Sequence, residues 1–148
     1  MKIEVATLDD VPQISELGQL LHDTSSYAGI PYSRAKVDAL MASLISGGGV
    51  VFVVRRDGQI MGGIAGGVTE HWFSDEKLGF EYSFFLHPEA RGGFTALKII
   101  AAFKTWCQLR GAKTVRMGIT TGINEEGTAK LYRFAGFKDA GQLFKLEV

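Results

Sequence analysis

Residues 91–93 read Arg-Gly-Gly and stand between an apolar run that closes on Pro88 and a stretch with helical spacing. That position could do chemistry. The first amides of a helix have no partner within it, and the helix dipole adds partial positive charge there. A glycine turn feeding such a helix exposes those amides to an anion, and without Cβ atoms at Gly92 and Gly93 a ligand can approach the backbone closely. Arg91 can add a charge-assisted contact. A pyrophosphate would suit the place. The same two glycines are also an ordinary turn, with Arg91 simply solvated. Two other phosphate loops are excluded: Phe94-Thr95 does not supply the Gly-Lys-Ser/Thr ending of a P-loop, and neither three spaced glycines nor a parallel βαβ unit is evident.

Glu81 is the second residue of interest. It is a lone carboxylate in a strand otherwise built from Leu78, Phe80, Tyr82, Phe84 and Phe85. Desolvating a carboxylate is costly, so it needs a reason: chemistry, or a structural partner such as an arginine. His22, His71 and His87 are each isolated, and their spacing makes no metal site. Cys107 is the only cysteine and falls on the apolar stripe of its helix, which marks it as core rather than nucleophile. It allows no intrachain disulfide and no cysteine-rich zinc site, and fits a reducing compartment, the cytoplasm.

The elements that must position these residues follow from patterning. Residues 2–6 alternate as a short strand. Thr7 or Asp9 can cap a helix with Pro12 in its first turn, running to about Ser25 with Ile14, Leu17 and Leu21 on one stripe. A second helix fits 33–45, with Val37, Leu40, Met41 and Leu44 on its stripe, and Gly47, Gly48 and Gly49 end it. A hairpin follows, 50–55 turning at Asp57-Gly58 and returning through Ile60, Ile64 and Val68. Residues 78–86 form a strand that is apolar on both faces, so its expected place is the centre of a covered sheet. The helix after Gly93 carries Ala96, Ile99, Ile100, Phe103 and Cys107 inward and closes at Arg110-Gly111. Residues 114–119 make a strand, 128–135 a short helix stopped by Gly136, and 137–148 one or two final strands. This order is a mixed α/β sandwich with helices on both faces. No repeat or linker marks a second domain, so 1–148 reads as one domain.

The hydrophobic fraction is 46% and the charged fraction 22%, and Lys+Arg and Asp+Glu balance at 16 each. The balance argues against a nucleic-acid binder that relies on overall charge. The N-terminus is charged too early for a signal peptide, and no apolar run is long enough to span a bilayer.

Element order, the glycine turn and the C-terminal third together resemble the GCN5-related N-acetyltransferases. The resemblance covers nearly the whole chain. It is densest from "FFLHPEARGGFTALKII" to "NEEGTAKLYRFAGFKDAG". The family's Arg/Gln-x-x-Gly-x-Gly/Ala signature corresponds to Arg91, Gly92, Gly93, Phe94, Thr95 and Ala96. Its second signature matches Asn124, Leu131, Tyr132, Gly136 and Phe137, with Asn124 one residue further from Tyr132 than in the commonest form. Phe94 departs from the pattern, standing where the family usually has glycine. A positive φ there would strain it by about 1–2 kcal/mol.

The resemblance implies a single-domain α/β acyltransferase fold with a mostly antiparallel mixed sheet. Acetyl-CoA would be the co-substrate and an amine, small molecule or peptide, the acceptor. A non-catalytic module that keeps CoA as a structural ligand or binds a protein partner is the alternative. It further implies a thioester oxygen held by a backbone amide near Phe85 or Leu86, with Pro88 favouring a break in strand pairing there. Tyr132 is the implied acid for the leaving thiolate, and a packed core tyrosine otherwise. Glu81 is the candidate base, through water. Tyr27, Tyr32, Glu70, His71 and Trp72 are the acceptor-site candidates. Pairing of family members through sheet edges or C-terminal strands implies a homodimer.

Overall fold

The structure is a computed structural model and describes residues 1–148. One five-stranded sheet runs in the order of the chain: β1 (Ile3–Val5), β2 (Val50–Arg56), β3 (Gln59–Glu70), β4 (Lys77–Leu86) and β5 (Ala112–Arg116). The first three junctions are antiparallel, and β4 and β5 are parallel. The β2–β3 hairpin turns on Asp57 and Gly58 at φ 52° and 79°, the doubly left-handed turn that matches strand twist. α1 (Val11–Asp23) and α2 (Arg34–Ser43) cover one face, and α3 (Thr95–Leu109) covers the other. α4 (Glu125–Phe134) follows β5.

Alternation along the hairpin makes two cores. Val51, Val53 and Ala65 pack beneath Ile14, Leu17 and Met41, whereas Val50, Val54 and Ile64 pack beneath Ile99, Phe103 and Cys107. The central strand, buried from Ile60 to Gly67, is β3, not β4. Its glycines permit this: a Cβ on Gly66 would lie 2.7 Å from the Phe103 ring. β4 is fourth of five, and Tyr82 on it is exposed. The Cys107 thiol is buried and pushed up to about 11 by desolvation, in keeping with a core role.

Two other sequence expectations differ from the structure. α4 begins at Glu125 rather than 128, because Asn124 adopts the left-handed conformation at φ 45° and starts the helix there, with Glu125 and Glu126 against its positive end. Residues 137–148 form no strand, and Leu143, Phe144, Leu146 and Val148 are all exposed. The alternation of Phe144, Leu146 and Val148 is a strand pattern that pairs with no strand of the sheet. No helix is long and apolar enough to cross a membrane.

The entry of the chain is held by charge. Arg55 on β2 donates to Glu4 and to Asp10, each at 2.7 Å, and Asp10 also accepts the Thr7 amide at 2.8 Å. Burial pushes the Asp10 carboxyl up, but the Thr7 amide and the Arg55 guanidinium outweigh it and hold the group below the usual carboxylate value. A depressed folded-state pKa stabilises above the unfolded value and is lost as pH falls through the folded one. Arg55→Ala leaves a buried carboxylate without its cation and should cost about 2 kcal/mol at pH 7. The difference from the parent should shrink once pH drops below about 4. Urea denaturation at pH 7 and pH 3 checks both statements.

Candidate active site

β4 and β5 run side by side only as far as Phe80 and Arg116. β5 then ends while β4 continues to Leu86, so the sheet opens between them. A bulge accompanies the parting: Ala65 faces Ser83 but Gly66 faces Glu81, which leaves Tyr82 as the extra residue. The opening therefore begins some five residues before the Phe85–Leu86 end of the strand, where the sequence placed it. Pro88 lies beyond the strand in a short turn and is not its cause.

The far end of β4 nonetheless presents free backbone. The His87 amide donates to the Met61 carbonyl at 2.7 Å, and Met61 and His87 continue the β3–β4 register. In an antiparallel ladder such bonded pairs alternate. The amides of Phe85 and Ser83 thus face β3, and those of Leu86 and Phe84 face the opening. The Leu86 carbonyl faces it too, where the Arg91 guanidinium donates to it at 3.2 Å. Of the two residues the sequence nominated, Leu86 has the open amide, and Phe85 instead buries its ring in the core under α1 and α2.

The glycine turn leads into α3 as expected, but with a different division of labour. Gly92 takes the left-handed conformation, φ 86°. Phe94 caps α3 in an ordinary right-handed conformation, φ −80° and ψ −5°, and is 77% exposed. The expected strain at Phe94 is absent, because the one positive φ of the turn falls on a glycine two residues earlier. The first return bond of the helix runs from the Lys98 amide to the Phe94 carbonyl at 3.0 Å. The amides of Thr95, Ala96 and Leu97 are left for an anion.

Glu81 and Tyr132 meet on one residue across the opening. The Gly118 amide donates to the Glu81 carboxylate at 3.0 Å, and the Tyr132 hydroxyl donates to the Gly118 carbonyl at 3.0 Å. Burial raises the Glu81 pKa, partly offset by the Gly118 amide. Burial, and then the Glu81 charge, push the Tyr132 phenol well above its ordinary value, so it stays protonated. Tyr132 is only 7% exposed and is fixed by its neighbour Phe137, whose ring is 5.6 Å away and whose amide returns to the Tyr132 carbonyl at 2.9 Å past Gly136.

A cavity of about 710 Å³ joins these parts. It is lined by Glu81, Phe85, Leu86, Arg91, Gly92, Gly93, Ala96, Asn124, Tyr132, Tyr27 and Tyr32 among the nominated residues. Phe94 and Thr95 do not line it, nor do Glu70, His71 and Trp72. Glu70 ends β3 opposite Lys77, and His71 and Trp72 begin the β3–β4 connection, where the His71 amide donates to the Glu76 carbonyl at 3.2 Å and Trp72 is 95% exposed. The connection turns away from the opening instead of over it.

Several residues that shape the cavity carried no signal of their own. Gly18 leaves room for Tyr32: a Cβ there would sit 2.7 Å from the Tyr32 hydroxyl, which donates to the Ser15 carbonyl at 2.9 Å. Ser26 fastens the α1–α2 loop to the segment after β5, its hydroxyl donating to the Thr120 carbonyl at 2.6 Å and its amide to Thr121 at 2.7 Å. Gly118 is legible only as one more loop glycine.

A family model for the acetyltransferase (GNAT) family matches residues 17–137. No curated protein matches the chain. Among solved structures, the chain is similar to an aminoglycoside acetyltransferase from an uncultured soil metagenomic sample, with TM-score 0.74 and 21% identity over 100% of this chain and 99% of that one. It is also similar to the aminoglycoside N-acetyltransferase AAC(6')-Iy in complex with a CoA bisubstrate analogue, TM-score 0.78, 15% identity, covering 99% and 97%. A ribosomal-protein-alanine N-acetyltransferase from Brucella melitensis biovar Abortus 2308 aligns with TM-score 0.73 and 16% identity, covering 99% and 98%. At these identities the structures speak for the fold, a five-stranded α/β sheet parted between β4 and β5. The family model carries the rest: the chain belongs to the acetyltransferase (GNAT) family and is an acetyl-CoA-dependent N-acetyltransferase.

Proposed function

We propose that this enzyme transfers the acetyl group in one step, with Glu81 as base and Tyr132 as acid on either side of Gly118. The observation that carries the reading is the convergence of those two side chains at the opening, beside the outward amides of β4 and the free start of α3. The residues present fit the co-substrate. Thr95, Ala96 and Leu97 offer amides, Gly92 and Gly93 offer bare backbone, and Arg91 offers a cation, which suits a pyrophosphate. Asn124 lines the same cavity from the start of α4. When bound, acetyl-CoA supplies the activated acyl group.

Attack by an amine requires a free lone pair. Glu81, with its pKa raised, can take the proton through a water more readily than an exposed carboxylate. The Leu86 or Phe84 amide can donate where negative charge gathers on the carbonyl oxygen. The Tyr132 phenol then gives its proton to sulfur as the carbon–sulfur bond breaks. No covalent nucleophile is needed when amine and thioester are held together, and the one cysteine is buried in the core. Phe94 gives no ground for a non-catalytic module, since its backbone is unstrained.

Gly92→Ala makes the left-handed conformation cost about 1–2 kcal/mol, so the free turn should relax out of it; regaining it on binding should raise the Kd for CoA by up to about tenfold. Phe94→Gly should leave it within about twofold, since that backbone asks nothing of glycine. Calorimetry compares the two, and a Phe94→Gly effect as large as that of Gly92→Ala would return the special position to residue 94.

Tyr132→Phe should lower kcat by about 10–10²-fold with little change in CoA affinity, because its proton is given only in the transition state. In the parent, kcat/KM should fall as pH falls through the raised Glu81 pKa, since the base must be ionised; Glu81→Gln should remove that limb of the profile. Steady-state kinetics with a working amine decide. A Tyr132→Phe enzyme that turns over like the parent, or a Glu81→Gln profile that keeps the acid limb, would cancel the corresponding role.

We also propose a homodimer. What supports it is a β5 paired on one side only and a C-terminal stretch whose exposed Phe144, Leu146 and Val148 keep strand alternation. Sedimentation velocity at about 50 µM should show a dimer; a single monomeric boundary would refute it.

A further inference from the structure

The acceptor end of the cavity has a chemical character of its own. Its walls come from α1, α2 and the loop between them, and they are mostly aliphatic and aromatic: Leu21, Val37, Leu40, Met41, Tyr27 and Tyr32, with uncharged Ser25 and the His22 ring beside them. Glu81 is the only carboxylate on the lining of the entire cavity, and Arg91 sits at the glycine turn. His22 adds no negative charge. Two acids of these helices stand off the lining: Asp38 accepts from Ser15 and pairs with Arg34 at 3.6 Å, and Asp23 is exposed, its carboxylate 3.4 Å from His22 Nδ1. Tyr32 offers a ring rather than a hydroxyl, because that hydroxyl is bound to the Ser15 carbonyl.

Such a site has one place for an amino group and none for a second. An ammonium lying against Leu21, Val37 or Leu40 would lose its water and gain no counter-charge, which is strongly unfavourable. An aromatic or aliphatic body placed there gains instead by leaving water. Apolar surroundings also favour the neutral form of the amine that attack requires. The volume of about 710 Å³ must take the reactive arm of the co-substrate as well, which leaves room for a small body only.

Resting on the acetyl-transfer reading above, we propose that the acceptor is a small primary monoamine carried on an aromatic or aliphatic body, and that polycationic aminoglycosides are rejected. The test measures thiol release from acetyl-CoA with 2-phenylethylamine, hexylamine, neamine and an alanine-initiated hexapeptide. At least one of the two monoamines should exceed neamine in kcat/KM by about 10²-fold or more, and the peptide should also trail it. Leu40→Asp places a second carboxylate on the wall and should narrow the monoamine–neamine ratio about tenfold. Neamine or the peptide matching or exceeding both monoamines in the parent overturns the acceptor class while leaving acetyl transfer standing. No thiol release above background with any amine, although acetyl-CoA binds by calorimetry, overturns the transfer reading and this assignment with it.

Discussion

The Glu81 carboxylate does the work of a ladder bond. Where β5 stops following β4, the next amide on that side, Gly118, has no strand carbonyl within the register to receive it. A side chain from β4 reaches out to take it at 3.0 Å. Backbone groups leaving a sheet need partners, and here the partner is longer than a peptide carbonyl. It holds the two segments apart instead of closing them. The opening, the direction of the Gly118 carbonyl and hence the seat of Tyr132 all hang on that one substitution of side chain for main chain.

The rest of the fold supplies rigidity around it. Two apolar cores clamp the β2–β3 hairpin from both faces, and the loosely covered part of the sheet is the half of β4 that borders the cavity. A buried titratable pair is tolerable there because neither member lacks a hydrogen bond. The same desolvation that raises both pKa values suits one group to receive a proton and the other to retain it until late. Electrostatics and architecture therefore have one source, the gap in the sheet.

How much of this could be read beforehand follows from what each residue needs. Stripes on α1, α2 and α3 and the Asp57-Gly58 turn announce themselves because they answer to local periodicity and turn chemistry. Glu81 was conspicuous as a charge among aromatics. The Gly92–Phe94 turn shows the limit of motif matching: residue types mark that a glycine is needed, but only the backbone angles show which position needs it. Gly18 left no trace because its role lies in what is absent next to a distant side chain, and Gly118 because its role is carried by an amide and a carbonyl that almost any residue has. Glu70, His71 and Trp72 were placed near the acceptor by resemblance, and loop direction is a tertiary property that no local pattern encodes. The alternation within 137–148 is genuine, but a strand is defined by its partner, and this stretch pairs with none.

Ser26 bears on time rather than shape. Its two hydrogen bonds join the acceptor-side loop to the segment that carries Gly118, and Ser26 donates both of them to backbone carbonyls. Each such bond is worth about 1 kcal/mol net, so releasing the pair costs about 2 kcal/mol and leaves the unfastened form populated at roughly a few per cent. The fastening thus weights the balance between a held and a released loop, and it does so with a residue that stands outside the lining of the cavity.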